Sequence, residues 1–308
     1  MSIKKYHKKM GGEFCYTITR KEFLKRTTGC FVSMGISGLT APAFIKKAPA
    51  AENIEYRILG KTGLKVTPVG LGASRTNEPS VFNRAVNLGI NFIDTGRMYS
   101  EGRNEEIISK VIEGIRKNVI IQSKIDQKIQ EDKTAMEKSI DDSLKALRTD
   151  YIDILTIRGA TTEKAVKPPA VIEVFGKAKE AGKIRYCGFS CHSTNSPEML
   201  KIGVEMNVYD VAMIPYNHSG SFHHVEYGIY SEWDQPALDK EIERAVSIGM
   251  GIIAMKTCSA GPFKKTGEPE ATFGAGLEWI LNNKNISTMA VWMGNFREID
   301  ENIQMIKE

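Results

Sequence analysis

From Ile54 onward, short apolar runs alternate with amphipathic ones. VGLG (69–72), INFID (90–94), NVIIQSK (118–124), YIDILTI (151–157), IRYCGFS (184–190), YDVAMI (209–214), MGIIAM (250–255) and ISTMAVW (286–292) read as strands. Helical spacing fills the intervals near 79–88, 103–115, 134–147, 169–181, 196–205, 235–247, 270–282 and 296–307. The clearest of these is TAMEKSIDDSLKAL (134–147), where Ala135, Ile140, Leu144 and Leu147 fall near one face with charges opposite. Ahead of the first run, IEYRILGKTGLKVT sets Gly-Lys-Thr-Gly between two β-like halves and predicts a hairpin.

Strands alternating with helices imply parallel pairing through right-handed crossovers. Eight such units over residues 54–308 fit the roughly 250 residues of a (β/α)8 barrel. The rival, an open doubly wound sheet, would carry G-x-G-x-x-G after its first strand. GLGASRT (70–76) lacks that spacing, and no G-x-x-x-x-G-K-[ST] occurs. The expected architecture is an α/β, single-domain (β/α)8 TIM barrel over 54–308 with an N-terminal β-hairpin.

Composition adds a second segment. Apolar content of 42% and charged content of 26% are those of an ordinary globular chain. No uninterrupted apolar window reaches the length of a membrane span. The formal charge of +5 is unevenly placed: residues 1–50 hold ten Lys and Arg against Glu13 and Glu22, so the remainder carries −3. A basic face on the folded domain, which nucleic-acid binding requires, is therefore not expected. Residues 1–53 read as a leader. Arg20-Lys21 precede Phe23-Leu24-Lys25 and a weakly apolar run, with small-residue cleavage candidates at Ala41-Pro42-Ala43 and Ala48-Pro49-Ala50. This is similar to a bacterial twin-arginine signal, with Lys21 where the second Arg belongs, and implies export to the periplasm. A leader without that function would leave the protein cytoplasmic. Past the leader, Cys187, Cys191 and Cys258 form no C-x-x-C and no even set, so three thiols are expected rather than a disulfide framework.

In such barrels chemistry gathers at the C-terminal ends of the strands. Asp94, Lys124, Arg158, Ser190 and Tyr216-Asn217 end or follow successive strands, and Tyr99 lies on the loop after Asp94. Taken singly, Asp94 reads as a helix cap, Tyr99 as a loop anchor and Lys124 as a solvated strand end. Together they form a relay. An ammonium beside a phenol stabilises the phenolate, and a carboxylate offsets the burial of that ammonium. The result is a proton donor for a carbonyl oxygen.

YRILGKTGLKVTPVGLG, NFIDTGRMYSEGRNEE, LKALRTDYIDIL, GKIRYCGFS and GIIAMK stand in the order and spacing of aldo-keto reductase motifs. The chain resembles that family over residues 54–308. The resemblance implies a barrel that binds NADP, with NAD as the alternative, extended across its mouth and without a Rossmann fingerprint. It implies Tyr99 as general acid tuned by Lys124 and Asp94. It also implies Ser190 at the nicotinamide carboxamide, Tyr216 against the ring, Lys256 at the cofactor, and Met293-Gly294-Asn295 at its phosphate.

Two positions depart from the family pattern. Arg158 stands where His is usual; it donates but stays charged. Its charge should lower the Tyr99 pKa further and favour a small carbonyl substrate bearing a carboxylate or phosphate. Met213 stands where many relatives carry a Gln that contacts the nicotinamide. His192, His218, His223 and His224 cluster after the fifth and sixth strands, without the spacing of a metal site. No metal is expected, and His192 or His218 is the candidate replacement donor. The long loop 215–234 is expected to set substrate choice, with Trp233, Tyr227 or Tyr230 as a lid. The function expected is reduction of aldehydes or ketones by NAD(P)H, or the reverse. A cofactor-binding protein with weakened catalysis, and a lyase or isomerase with a repurposed mouth, are the alternatives.

Overall fold

A computed structural model describes residues 53–224 and 229–307. The expected leader lies outside the described residues apart from Asn53, as does Tyr227. A hairpin opens the fold: β1 (Arg57–Ile58) pairs antiparallel with β2 (Lys65–Val66) around a 3-10 turn, Gly60–Thr62. Eight parallel strands follow and close on themselves. They are β3 (Val69–Gly72), β4 (Phe92–Asp94), β5 (Ile120–Asp126), β6 (Ile152–Arg158), β7 (Ile184–Ser190), β8 (Val211–Pro215), β11 (Gly251–Met255) and β12 (Thr288–Val291). The ring shuts where β12 meets β3, Met289 opposite Val69 and Val291 opposite Leu71. The barrel and its hairpin are thus as the residue pattern predicts.

Two features are additions to the sequence reading. A short helix, Glu163–Val166, follows β6, capped by Thr162 through Ala165 N at 3.2 Å. The long loop after β8 holds its own antiparallel ribbon, β9 (Ser221–His224) with β10 (Ile229–Glu232).

The strand pleat sorts side chains into two cores. Phe92, Ile120, Ile154, Val211, Met213, Ile253 and Met255 fill the barrel interior. Their neighbours Ile93, Ile121, Leu155, Ala212, Ile214, Ile252 and Ala254 face the helical layer. The helix Lys133–Leu147 shows how that layer is built. Asp132 caps it by accepting from Ala135 N at 2.9 Å, and Met136, Ile140, Ser143 and Leu147 form its buried stripe. Ala135 and Leu144 flank the stripe rather than lie in it.

The hairpin stoppers the N-terminal end of the barrel. Leu59, Leu64 and Val66 join the interior cluster. Gly60 makes the seal close: it sits at φ 51, and a Cβ there would lie 2.4 Å from the Gly249 carbonyl oxygen. Tyr186 Oη donates to Thr62 O at 2.6 Å and ties the turn to the barrel wall. The C-terminal mouth is left as the place for chemistry. No helix among the described residues is long and apolar enough to cross a membrane.

Candidate active site

Inward parity on β4 and β5 aims Asp94, Gln122 and Lys124 at the barrel axis, above Phe92 and Ile120. Lys124 is 1% exposed. Its Nζ donates to Asp94 Oδ1 and, at 2.8 Å, to Thr95 O. Gln122 Nε2 donates to the same Asp94 oxygen at 2.7 Å and lies 3.1 Å from Met213 Sδ. Burial opposes the Lys124 charge, but Asp94 and then Tyr99 outweigh it and hold the ammonium above the usual lysine range.

Tyr99 reaches this pair from the loop after β4, with Lys124 Nζ 5.0 Å from its ring centroid. The loop is held in an unusual shape. Ser100, Glu101 and Gly102 are all left-handed, at φ 51, 58 and 89, a conformation that stores strain at non-glycine residues. Two buried groups hold it. Asn104 donates to Ala73 O and Thr76 O, each at 2.9 Å, and accepts from Thr95 Oγ1 at 2.6 Å. Glu105 accepts from Ser123 Oγ at 2.7 Å and pairs with Arg97 at 2.9 Å. Arg97 packs so closely on Gly102 that a Cβ there would sit 1.7 Å from its guanidinium.

The net effect on the phenol reverses one expectation. Lys124 and Arg158 do lower the Tyr99 pKa, but burial is the largest influence and Asp94 adds to it, so the phenol lies above its ordinary value. Tyr99 keeps its proton at neutral pH.

Asp94, Tyr99, Lys124, Arg158 and Lys256 line one cavity of about 960 Å³, together with Arg75, His192, Met213, Phe222 and Trp292. Four cationic side chains there face the single carboxylate of Asp94 among the lining residues. Arg158 is 45% exposed and its ion pair with Asp126 is long, 4.0 Å. Lys256 has no carboxylate partner among the described residues; its Nζ lies 2.9 Å from the Phe222 ring centroid, and burial pushes its pKa down to about 8. His192 Nε2 is buried without a partner. Burial first, then Lys256, Lys124 and Arg158, push its imidazole down to about 3, so the ring is neutral. An orphaned imidazole nitrogen in a cation-rich cavity fits a ligand with several negative charges and a polar head, as a nicotinamide dinucleotide has.

Lys256 and Tyr216 occupy equivalent places, just after the paired residues Met255 and Pro215. Pleat parity should send both outward. Lys256 escapes because its φ is +58, which turns the side chain to the cavity. Tyr216 continues outward, stacking on Trp279 at 5.3 Å and bonding Asp239 and Asn283 at 2.8 and 2.7 Å. The structure therefore does not bring Tyr216 to the cavity. Ser190 is also elsewhere engaged: its Oγ donates to Ile157 O at 3.1 Å and accepts from Gly159 N at 3.3 Å.

The loop after β12 also differs from expectation. Met293 is buried, and its carbonyl accepts from Thr76 Oγ1 at 3.1 Å. Gly294 N donates to Glu298 Oε2 at 2.8 Å, and Asn295 Nδ2 to Glu298 Oε1 at 2.7 Å. Asn295 Oδ1 accepts from Glu298 N at 3.0 Å and so caps the helix Phe296–Gln304. Glu298 thus holds the donors expected for a phosphate.

Of the histidines, His192 and His223 line the cavity, whereas His218 packs on Phe263 at 4.8 Å. Trp233 is no lid: it is 5% exposed, with Nε1 bonded to Gln235 at 2.8 Å. Tyr230 is 61% exposed and outside the cavity lining. Phe222 on β9 is the aromatic residue that the loop contributes. Gln122 and Asn104 escaped the sequence reading. The signal for Gln122 was a polar residue two before Lys124 in an apolar strand, which the pleat puts on the same face.

The Aldo/keto reductase family profile matches residues 69–307. YqkF of Bacillus subtilis (strain 168), named an uncharacterized oxidoreductase, is 33% identical over 148 residues, 44% of this chain and 48% of that protein. That match spans about half the length of the relative. L-galactose dehydrogenase of Arabidopsis thaliana is 28% identical over 298 residues, covering 83% of this chain and 89% of the relative. In fold, the chain is similar to aldo-keto reductase AKR11C1 from Bacillus halodurans, holo form, with a TM-score of 0.65 at 21% identity over 83% of this chain and 91% of that one. An aldo-keto reductase from Klebsiella pneumoniae in complex with NADPH gives 0.63 at 18% identity, over 82% and 90%.

Proposed function

Because the chain belongs to the aldo/keto reductase family of oxidoreductases, we propose that it reduces small carbonyl compounds with a nicotinamide dinucleotide, using Tyr99 as the proton donor. The observation that carries this reading is the buried Asp94–Lys124 pair beside the Tyr99 phenol on the wall of a large cavity. A reduced nicotinamide, when bound, supplies the hydride to the carbonyl carbon. Lys256 is the residue we assign to its phosphates, as a desolvated cation without a carboxylate partner among the described residues.

The protein's part is the carbonyl oxygen. As that oxygen gains negative charge it becomes a far stronger base than a phenolate, so a Tyr99 phenol with a raised pKa still gives up its proton to it. Lys124, held by Asp94, stabilises the phenolate left behind. His192 donates a hydrogen bond to the same oxygen through Nε2, as a neutral ring whose charge state does not change near neutral pH. It thereby takes over the place of the histidine that Arg158 displaces. Arg158, only loosely tied to Asp126, grips a carboxylate or phosphate of the substrate through its planar fork.

The test is steady-state reduction of α-keto acids and matched neutral aldehydes by wild type, Tyr99→Phe and Arg158→Ala. Tyr99→Phe should lower kcat by about 10²–10⁴ while leaving dinucleotide binding intact. Arg158→Ala should raise KM for the acids by about tenfold or more and change the neutral aldehydes little. An unchanged kcat in Tyr99→Phe would sink the proton-donor role. An equal rise in both KM series would remove the anionic substrate.

A further inference from the structure

A second cavity, about 750 Å³, adjoins the mouth and shares Cys258, Phe273 and Trp292 with it. The charges along that groove are met near the surface, Lys265 by Glu278 and Arg297 by Glu301. A polar group of another kind lies under the floor of the mouth. Gln122 is fully buried on β5, two residues before Lys124, in an interior built from Phe92, Ile120, Ile154 and Met213. It lies outside the cavity lining, to which Asp94, Tyr99 and Lys124 belong. One orientation is open to its amide. Nε2 donates to Asp94 Oδ1 at 2.7 Å and lies 3.1 Å from Met213 Sδ; reversed, Oε1 would face the carboxylate oxygen and repel it. Held this way, Oε1 is buried without a partner among the described residues. A buried acceptor left open costs stability, and a methionine of similar length would fill the same space without that cost. Such a group calls for a reason other than packing.

We propose that Gln122 is a positioning residue for proton transfer: by donating to Asp94 it takes up part of the carboxylate's charge and so sets how acidic the Tyr99 phenol is. The inference rests on the proton-donor reading of Tyr99 above. Asp94 raises the Tyr99 pKa, whereas Lys124 lowers it. Gln122 and Lys124 donate to the same Asp94 oxygen. A hydrogen bond donated to a carboxylate stabilises its charge and weakens its pull on other partners. With the amide in place, more of the Lys124 charge is left for the phenolate, and less of the Asp94 charge opposes it. Without the amide, Tyr99 is the weaker acid. The proton itself still passes from Tyr99 Oη to the carbonyl oxygen, and Gln122 neither gives nor takes one. Among the described residues, the titratable groups around this amide are Asp94 from β4, Lys124 from β5 and Tyr99 from the loop after β4, with Arg158 acting on Tyr99 from the cavity side. The other strands present Ile154, Met213, Ile253 and Ala290 to the interior, and Tyr186 on β7 turns its Oη to Thr62 O instead.

Single-turnover reduction tests this in the full chain, with NADPH and separately NADH, on the carbonyl compound that wild type turns over best in the panel above. Wild type, Gln122→Met and Gln122→Glu are compared between roughly pH 5 and 9, where Tyr99 keeps its proton and the wild-type rate should be flat. Gln122→Met should lower the rate about three- to tenfold at every pH, the effect of a phenol made up to about one pKa unit less acidic. Its KM and dinucleotide affinity should stay as in wild type. Gln122→Glu sets a second carboxyl beside Asp94, which raises the pKa of the introduced group. While protonated, that group donates to Asp94 as the amide does, so the low-pH rate should match wild type. Once ionised, it loses the donor and adds a negative charge, so the rate should fall below that of Gln122→Met. The profile of this variant therefore gains a midpoint that wild type lacks, which a packing role would not produce. A flat Gln122→Glu profile, or a wild-type rate in Gln122→Met, would overturn the proposal while leaving the role of Tyr99 intact. A wild type that reduces no carbonyl compound, or an unchanged rate in Tyr99→Phe, would overturn the proton-donor reading and this inference with it.

Discussion

The mouth cavity and the groove beside it share three wall residues and carry opposite charge. Around the mouth, Arg75, Lys124, Arg158 and Lys256 face Asp94. Around the groove, five glutamates face Lys265 and Arg297. The difference lies in pairing and burial as much as in number. At the mouth the Asp94–Lys124 pair is buried, while Arg158 is loosely tied and Lys256 has no carboxylate partner among the described residues. In the groove each cation is matched to a glutamate near the surface. Desolvated charge is strong and expensive to disturb, whereas exposed charge is weak and replaceable. One molecule therefore offers both regimes within a single cleft.

The comparison breaks hardest at Lys124. Lys124→Met should leave Asp94 buried without its cation and cost about 3–5 kcal/mol, read as a lowered midpoint in urea. Lys124→Met/Asp94→Asn should recover most of that stability without recovering turnover. Recovery of both would make the pair structural only.

A smaller effect is expected at Lys256. Its charge is complete well below pH 8 and is lost as pH rises through about 8. Anion affinity should therefore weaken with rising pH, by about three- to tenfold between roughly pH 7 and 9, the worth of one partly screened charge pair. Tyr99, with its pKa raised, keeps its proton across that window. Titration of NADH binding against pH should thus show a slope that Lys256→Met abolishes, while kcat for reduction stays flat. A slope that survives in Lys256→Met would assign it to another group.

The smallest effect belongs to the groove. Arg297 is 83% exposed in its pair with Glu301. Arg297→Ala should change stability by no more than about 0.5 kcal/mol, measured by thermal melting. A loss several times larger would show that the groove's charges are not the exposed set described above.

Legibility in the sequence follows the same division. Strand and helix positions could be read because apolar periodicity is a local property, and the helix Lys133–Leu147 and the strand Ile184–Ser190 stand where their patterns put them. The ribbon β9–β10 was missed because its residues Ser221, His223 and Glu232 give no apolar alternation of a buried strand. Placement at the mouth was readable where a residue lies at or near a strand end on the inward parity, as Asp94 does at the end of β4 and Lys124 does two residues before the end of β5. It failed one residue later, where backbone φ decides: Lys256 and Tyr216 are equivalent in register and point opposite ways. The sign of the Tyr99 shift was misread for a different reason. Its charged neighbours are named by the sequence, but the depth of its burial emerges only from the packing.

The stopper formed by Leu59, Leu64 and Val66 has a kinetic corollary. A vessel corked at its base has one doorway, so both reactants must use the same entrance and the same exit. Where one of them sits beneath the other, the deeper is expected to bind first and leave last, an order that product-inhibition patterns would check.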